Sequence, residues 1–220
     1  MPTSGEHHPA FEEYCECIFE LREDNLEVIQ ARVAERLNVS RPSVSEMIHR
    51  MESEGLITSV GSQIRLTNLG ETLASSVVRR HRIAERFLID VLGLSWSLAH
   101  HEACKWEHVI TAEVESAMNN LLGAPTTCPH GNPIPGSDYV APTVKSLINI
   151  EVGTEFTISR ITEELEFVPG VLDFLENAQI APGQRGVVAG SRADGSLTVC
   201  IGGNDVDIDA FASARIFVTL

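Results

Sequence analysis

Residues 28–66 constrain the fold more than any other stretch of this chain. VIQARVAERLNV (28–39) reads as a short helix, with Asn38 and Ser40 following as turn and N-cap residues. Pro42 falls where a first helical turn tolerates it. The next helix runs to about Glu54, with Val44, Ile48 and Met51 on its apolar face, and Gly55 ends it. LITSV and IRLT are then two short extended pieces joined by Gly61–Ser62–Gln63, a hairpin pattern. Helix, tight turn, helix and hairpin make a winged helix-turn-helix; the bland alternative is a generic small helical bundle.

Charge separates the two. A net charge of −15 argues at first against nucleic acid, since phosphate contacts want a basic protein. The distribution reverses the argument. Residues 1–27 hold one Arg against eight acidic residues, whereas 28–86 hold nine Arg against six and form the only basic block. Its positive charge is all arginine, suited to bidentate phosphate and guanine contacts. Arg32, Arg36, Arg41, Arg50 and Arg65 fall around the second helix and the hairpin, which predicts a local DNA-binding face on an acidic body.

Other classes are set aside quickly. No apolar run approaches the ~18 residues of a membrane span. MPTSGEHHPAFEE has neither a basic leader nor an apolar segment, so no signal peptide is expected and the cytoplasm is. Five cysteines without a CxxC pair argue against a disulfide framework and suit a reducing compartment.

Residues 9–23 place Phe11, Tyr14, Ile18 and Leu21 at helical spacing. A long helix is expected from Asn68 to about Val91, and another from Leu98 to Leu122. Two long amphipathic helices with little core of their own predict a homodimer, which suits a palindromic DNA site. Residues 123–143, with five of the ten prolines, read as loop or linker. From 149 to 220 β-branched residues and Gly turns take over. EFTISRI, RGVVAGS, SLTVCIG and ARIFVTL read as strands of a small barrel, with one helix near 169–178.

The chemistry concentrates on the 98–122 segment. His100, Cys104, Glu107 and His108 recur at i, i+4, i+7 and i+8, one face of a helix. His81 and Glu85 stand at i, i+4 on the preceding helix, and Glu13 and Glu16 at i, i+3 on the first. Each residue alone has an ordinary explanation; three helices offering such pairs together point to a metal site. Nitrogen and carboxylate donors with one thiolate suit divalent iron, cobalt, nickel, zinc or manganese, not a four-cysteine zinc site or an all-oxygen calcium cage. A catalytic metal is the rival reading, but HExxH and a nucleophile elbow are missing, and no enzyme is expected.

Taken together, ARVAERLNVSRPSVSEMIHRMESEGLI, LTNLGETLASSVVRRHRIAERFL, HHEACKWEHVITAEVE and GNPIPG resemble the iron- and manganese-dependent repressors of the diphtheria toxin repressor family, over about residues 10–136. The resemblance implies a fold that is mainly α with a small β domain. Its parts are a winged helix-turn-helix DNA-binding domain (1–75), a helical dimerisation and metal-binding domain (76–125), a Pro/Gly-rich linker (126–148) and an SH3-like carboxyl domain (149–220). It further implies repression of metal-homeostasis genes through a palindromic double-stranded operator. His81, Glu85 and His100 match the family's ancillary metal site; Cys104, Glu107 and His108 match the effector site, completed from the first helix by the position of Glu13. The implied DNA-facing set is Arg32, Ser40, Arg41, Pro42, Ser43, Ser45, Glu46 and Arg50.

Three departures matter. Glu13 with Glu16 looks manganese-like while Cys104 looks iron-like, so Mn2+ is expected slightly ahead of Fe2+. The third domain's two ancillary ligands fall on Val168 and Val171, which cannot ligate; Glu163, Glu164 or Glu166 substitute only if that loop is shifted. Glu46 replaces a glutamine on the reading helix, so the operator should differ from the iron-box consensus. The alternative is a metal-independent winged-helix regulator that senses a partner or ligand through its carboxyl domain.

Overall fold

In the computed structural model, which describes residues 9–220, the amino-terminal helices form where apolar spacing puts them. The expectation for a leader at residues 1–8 lies outside the described residues. Helix α1 (Pro9–Glu23) buries Phe11, Tyr14, Ile18 and Leu21; α2 (Gln30–Arg36) buries Val33 and Ala34; α3 (Arg41–Ser53) buries Val44, Ile48 and Met51. The Ser40 side chain accepts from Ser43 N at 3.2 Å and starts α3, with Pro42 in the first turn. Strands β1 (Ile57–Val60) and β2 (Gln63–Leu66) pair antiparallel, Ile57 opposite Leu66 and Val60 opposite Gln63. The positive φ of 63° at Gly61 turns the chain between them.

Helix α4 (Asn68–Asp90) begins hard against this wing. The Leu56 carbonyl accepts from Thr67 N at 2.9 Å and from Thr67 Oγ1 at 3.1 Å. A Cβ on Gly70 would collide with that same carbonyl oxygen. Because two hydrogen bonds hold the carbonyl, it cannot retreat cheaply. Gly70→Ala is therefore expected to destabilise the protein by about 1–3 kcal/mol despite alanine's better helix propensity. An unchanged urea midpoint would show that the close approach is dispensable.

The residues group into two compact units: those up to 81 with 106–110, and 82–105 with 111–220. The first is built on the α1–α4 apolar core just described, extended by Leu73, Ala74 and Val77 of α4.

The expected helix 98–122 is two helices, α5 (Trp96–Trp106) and α6 (Ala112–Leu121), and Glu107 and His108 lie in the turn between them. Thr111 explains the break: its side chain accepts from Val114 N at 3.4 Å and starts α6 afresh.

The second unit holds a six-stranded antiparallel sheet. Its strands are β3 (Lys145–Ser146), β4 (Glu155–Ile161), β5 (Arg185–Ser191), β6 (Leu197–Ile201), β7 (Asn204–Ile208) and β8 (Ile216–Thr219), ordered β3-β8-β4-β5-β6-β7. Short helices α7 (Glu163–Glu166), α8 (Val171–Asn177) and α9 (Ala210–Arg215) interrupt it. Its core takes Phe156, Ile158, Val188, Val199, Ile216 and Val218 from alternating strand positions, with Leu165 and Leu175 from α7 and α8. Part of the Pro/Gly-rich stretch read as loop or linker is packed. Cys128, His130, Asn132 and Ile134 are buried, Cys128 N donates to Asn132 O at 2.8 Å, and Ile161 N donates to His130 O at 2.8 Å.

Candidate metal centre and nucleic-acid interface

In the first unit Glu16, His81 and Glu107 come together. Each offers one donor atom, and the three lie within 4.8 Å of one another. The elements responsible are α1, α4 and the turn after α5. His81 Nδ1 and Glu107 Oε2 are 2.5 Å apart. Glu16 Oε1 is buried with no hydrogen-bond partner, a state that is unfavourable for a carboxylate unless something else satisfies it. Burial, then the Glu107 carboxylate, push the Glu16 carboxyl well above its usual range. A divalent cation answers both defects, so the donor set fits one.

His108 extends the cluster. Its Nε2 stands 3.2 Å from Glu107 Oε1 and its Nδ1 2.6 Å from Glu12 Oε2. The Glu12 hydrogen bond outweighs burial and, with Glu107, raises the His108 pKa. Glu12 was not among the expected residues, and Glu13 is exposed, outside the Glu16–His81–Glu107 group. Helical period is the reason. Glu12, Glu16 and Glu20 stand at i, i+4 and i+8, and that stripe turns inward, while Glu13 lies one position round.

The second unit assembles a larger group. His100 Nδ1 is 3.2 Å from Glu85 Oε1 and 3.2 Å from Glu166 Oε2, and Cys104 Sγ is 3.9 Å from His100 Nε2. Burial opposes charge on His100, yet Cys104, Glu166 and Glu85 together hold its pKa above the ordinary value. His130 Nδ1 is 2.9 Å from Glu166 Oε1, and its Nε2 is buried with no hydrogen-bond partner. Glu85, Cys128 and His130 offer donor atoms within 4.8 Å of one another, as do Cys128, Glu163 and Glu166. Val168 and Val171 contribute nothing here, and Glu166 on α7 stands against His100. Cys128 and His130 were missed because CPHG lies in a Pro/Gly-rich stretch read as linker. The signal was present: a Cys and a His two apart in a tight turn.

The predicted DNA face is exposed at Ser40, Arg41, Pro42, Ser43, Glu46 and Arg50, and half-buried at Arg32 and Ser45. Arg65 on the wing is exposed as well. Arg36 is not part of this face: it turns inward to Glu20 at 3.4 Å, both side chains nearly inaccessible. Arg50 lies over the Phe11 ring of α1, 5.3 Å from its centroid, so the reading helix touches the helix that carries Glu12 and Glu16.

Comparison with known proteins places these two features in one family. Residues 8–63 match the model "Iron dependent repressor, N-terminal DNA binding domain", and residues 67–136 match "Iron dependent repressor, metal binding and dimerisation domain". The iron-dependent repressor IdeR of Mycobacterium tuberculosis (strain ATCC 25618 / H37Rv) is 37% identical over 216 residues, covering 88% of this chain and 89% of that one. The chain belongs to the iron-dependent repressor family.

The family's diphtheria toxin repressor of Corynebacterium diphtheriae is 44% identical over 128 residues, 58% of this chain and 57% of its own. Among solved structures, a manganese-dependent transcriptional repressor in complex with manganese superposes with a TM-score of 0.85 at 30% identity, covering 95% of this chain and 99% of that chain. ScaR with bound Zn2+ superposes with a TM-score of 0.77 at 25% identity, covering 95% and 98%. The mainly helical fold with a small antiparallel carboxyl domain is thus that of metal-dependent repressors.

Proposed function

We propose that this iron-dependent repressor family member is a homodimeric, metal(II)-dependent transcriptional repressor of metal-homeostasis genes. It acts in the cytoplasm, on a palindromic double-stranded operator, and it is not an enzyme. The observation that carries the reading is the buried Glu16–His81–Glu107 group, in which a carboxylate oxygen lacks any hydrogen-bond partner. The metal ligands are Glu13 and Glu16 of α1, His81, Glu85, His100 and Cys104 of α4 and α5, and Glu107 and His108 of the following turn. Arg32, Ser40, Arg41, Pro42, Ser43, Ser45, Glu46 and Arg50 meet DNA. Exposed Val91, Leu92, Leu98, Val114 and Leu121 in the α4–α6 region support a second copy as partner.

The donor chemistry favours Mn2+ slightly over Fe2+. Carboxylate oxygens outnumber the single thiolate Cys104, and hard donors prefer the harder ion. Bound metal would relieve repulsion between Glu16 and Glu107 and draw in Glu13, which stands exposed one helical position round from the group. The protein then does the rest: α1 is held against α4, and the Phe11–Arg50 contact passes that placement to the reading helix. The effect is a shift between two populated arrangements, one spaced for the operator.

Glu13→Ala is expected to abolish metal-stimulated operator binding while circular dichroism and urea unfolding stay at wild type. Fluorescence anisotropy with labelled operator, titrated with Mn2+ and with Fe2+ under anaerobic conditions, reads both the latch and the metal order. A Glu13→Ala protein that responds at wild-type metal concentrations would refute the first-helix latch.

A further inference from the structure

Both carboxylate oxygens of Glu12 on α1 are engaged. Oε2 lies 2.6 Å from His108 Nδ1, and Oε1 accepts from Arg80 Nη2 at 3.1 Å. All three side chains are largely buried, at 12% exposure for Glu12, 14% for His108 and 17% for Arg80. Glu16 differs: one of its oxygens is buried without a hydrogen-bond partner. Adjacent acidic residues on one helix are therefore in different chemical situations. Glu16 has a donor site to give, whereas Glu12 has already spent both of its own.

We propose that Glu12 is a positioning residue for His108. It takes the Nδ1–H of the imidazole and so leaves Nε2, the nitrogen that faces Glu107 at 3.2 Å, as the bare atom for ligation. Arg80 holds Glu12 in the rotamer that does this and neutralises its charge. A neutral imidazole carries one N–H, and which nitrogen bears it is set by the hydrogen bond the other can make. A carboxylate behind a ligating histidine fixes ring orientation and raises ligand basicity. The contact ties α1 to the turn after α5 through protein atoms alone.

This inference rests on the metal-dependent reading above, and the test separates the two. Full-length wild type, Glu12→Ala, Glu12→Gln and Arg80→Met are compared in three measurements. The first is the 15N imidazole spectrum of His108 in the metal-free protein. The second is Mn2+ affinity from the electron paramagnetic resonance of free Mn2+, and the third is the visible spectrum of the Co2+-saturated protein. Glu12→Ala should mix the His108 tautomers and weaken Mn2+ binding by about 10–100-fold, the usual effect of losing such a partner. Its Co2+ spectrum at saturation should stay at wild type. Glu12→Gln, which keeps an accepting oxygen, should recover most of the affinity, and Arg80→Met should shift both readouts the same way by less. Wild-type tautomer and Mn2+ affinity in Glu12→Ala would overturn the proposal. So would an altered Co2+ spectrum, which makes Glu12 a direct ligand. If Glu12→Ala does not fold, Arg80→Met decides the matter alone. Wild type that binds no Mn2+ would sink the metal-dependent reading, while the metal-free tautomer result would still judge Glu12.

Discussion

Arg82→Met should unfold the second unit at markedly lower urea than wild type, with a loss of about 3–5 kcal/mol. Arg82 and Glu163 have side chains exposed to 0% and 1%, and Arg82 donates to Glu163 Oε1 from Nε at 3.0 Å and Nη2 at 2.8 Å. Its Nη1 also reaches the Pro133 carbonyl, so one guanidinium joins α4, α7 and the CPHGNPIP loop. Removing it leaves a buried carboxylate facing an apolar side chain and releases the loop that carries Cys128 and His130. The pair's net worth is a separate matter, since the desolvation of two charges offsets much of their attraction. Arg82→Met with Glu163→Leu should therefore regain most of the lost stability. If the single variant unfolds within about 1 kcal/mol of wild type, water reaches this pair and it is not the buried junction described.

Such junctions mark the boundary of what could be read from the residues alone. Local pattern was enough for α1 to α4 and the wing, because each is set by apolar spacing and a nearby cap or glycine. Strand β7 was missed because NDVDI is mostly polar and buries little more than Ile208. Its partner β6 and the Gly202–Gly203 turn, with φ of 60° and 85°, define it instead. The break at residues 107–111 escaped notice because periodicity runs on through a turn when ligands, not core, dictate the spacing. Within the site, His81, Glu85, His100 and Glu107 were visible from helical repeats. Glu12, Cys128 and His130 were not, since their partners are 96, 43 and 36 residues or so away in the chain, and Glu166 was offered only as a substitute should its loop be shifted. Arg36 misled for a related reason: an arginine beside a reading helix looks like a phosphate contact until Glu20 is found beneath it.

Glu16→Gln should raise the stability of the metal-free protein at pH 7–8 while removing its response to Mn2+. The sign follows from linkage. In the unfolded chain this carboxyl has its ordinary pKa of 4.5; in the folded protein burial and Glu107 raise it well above that. Between those two values the native state binds more protons than the unfolded one. Stability is therefore fully present below the unfolded pKa and is lost as pH rises through the folded one. Glutamine has no such proton to lose. The stability of wild type without metal should decline from pH 5 to pH 8, and that of Glu16→Gln should decline less. The gap between the two proteins should widen as pH rises above 4.5, in the direction that burial and Glu107 set. Added Mn2+ should reverse the order, because only wild type offers the carboxylate, and at pH values where Glu16 is still protonated its metal uptake should release one more proton than the variant's. Parallel urea-midpoint curves for the two proteins across this pH range would show that Glu16 is not the strained acid at the centre of the site.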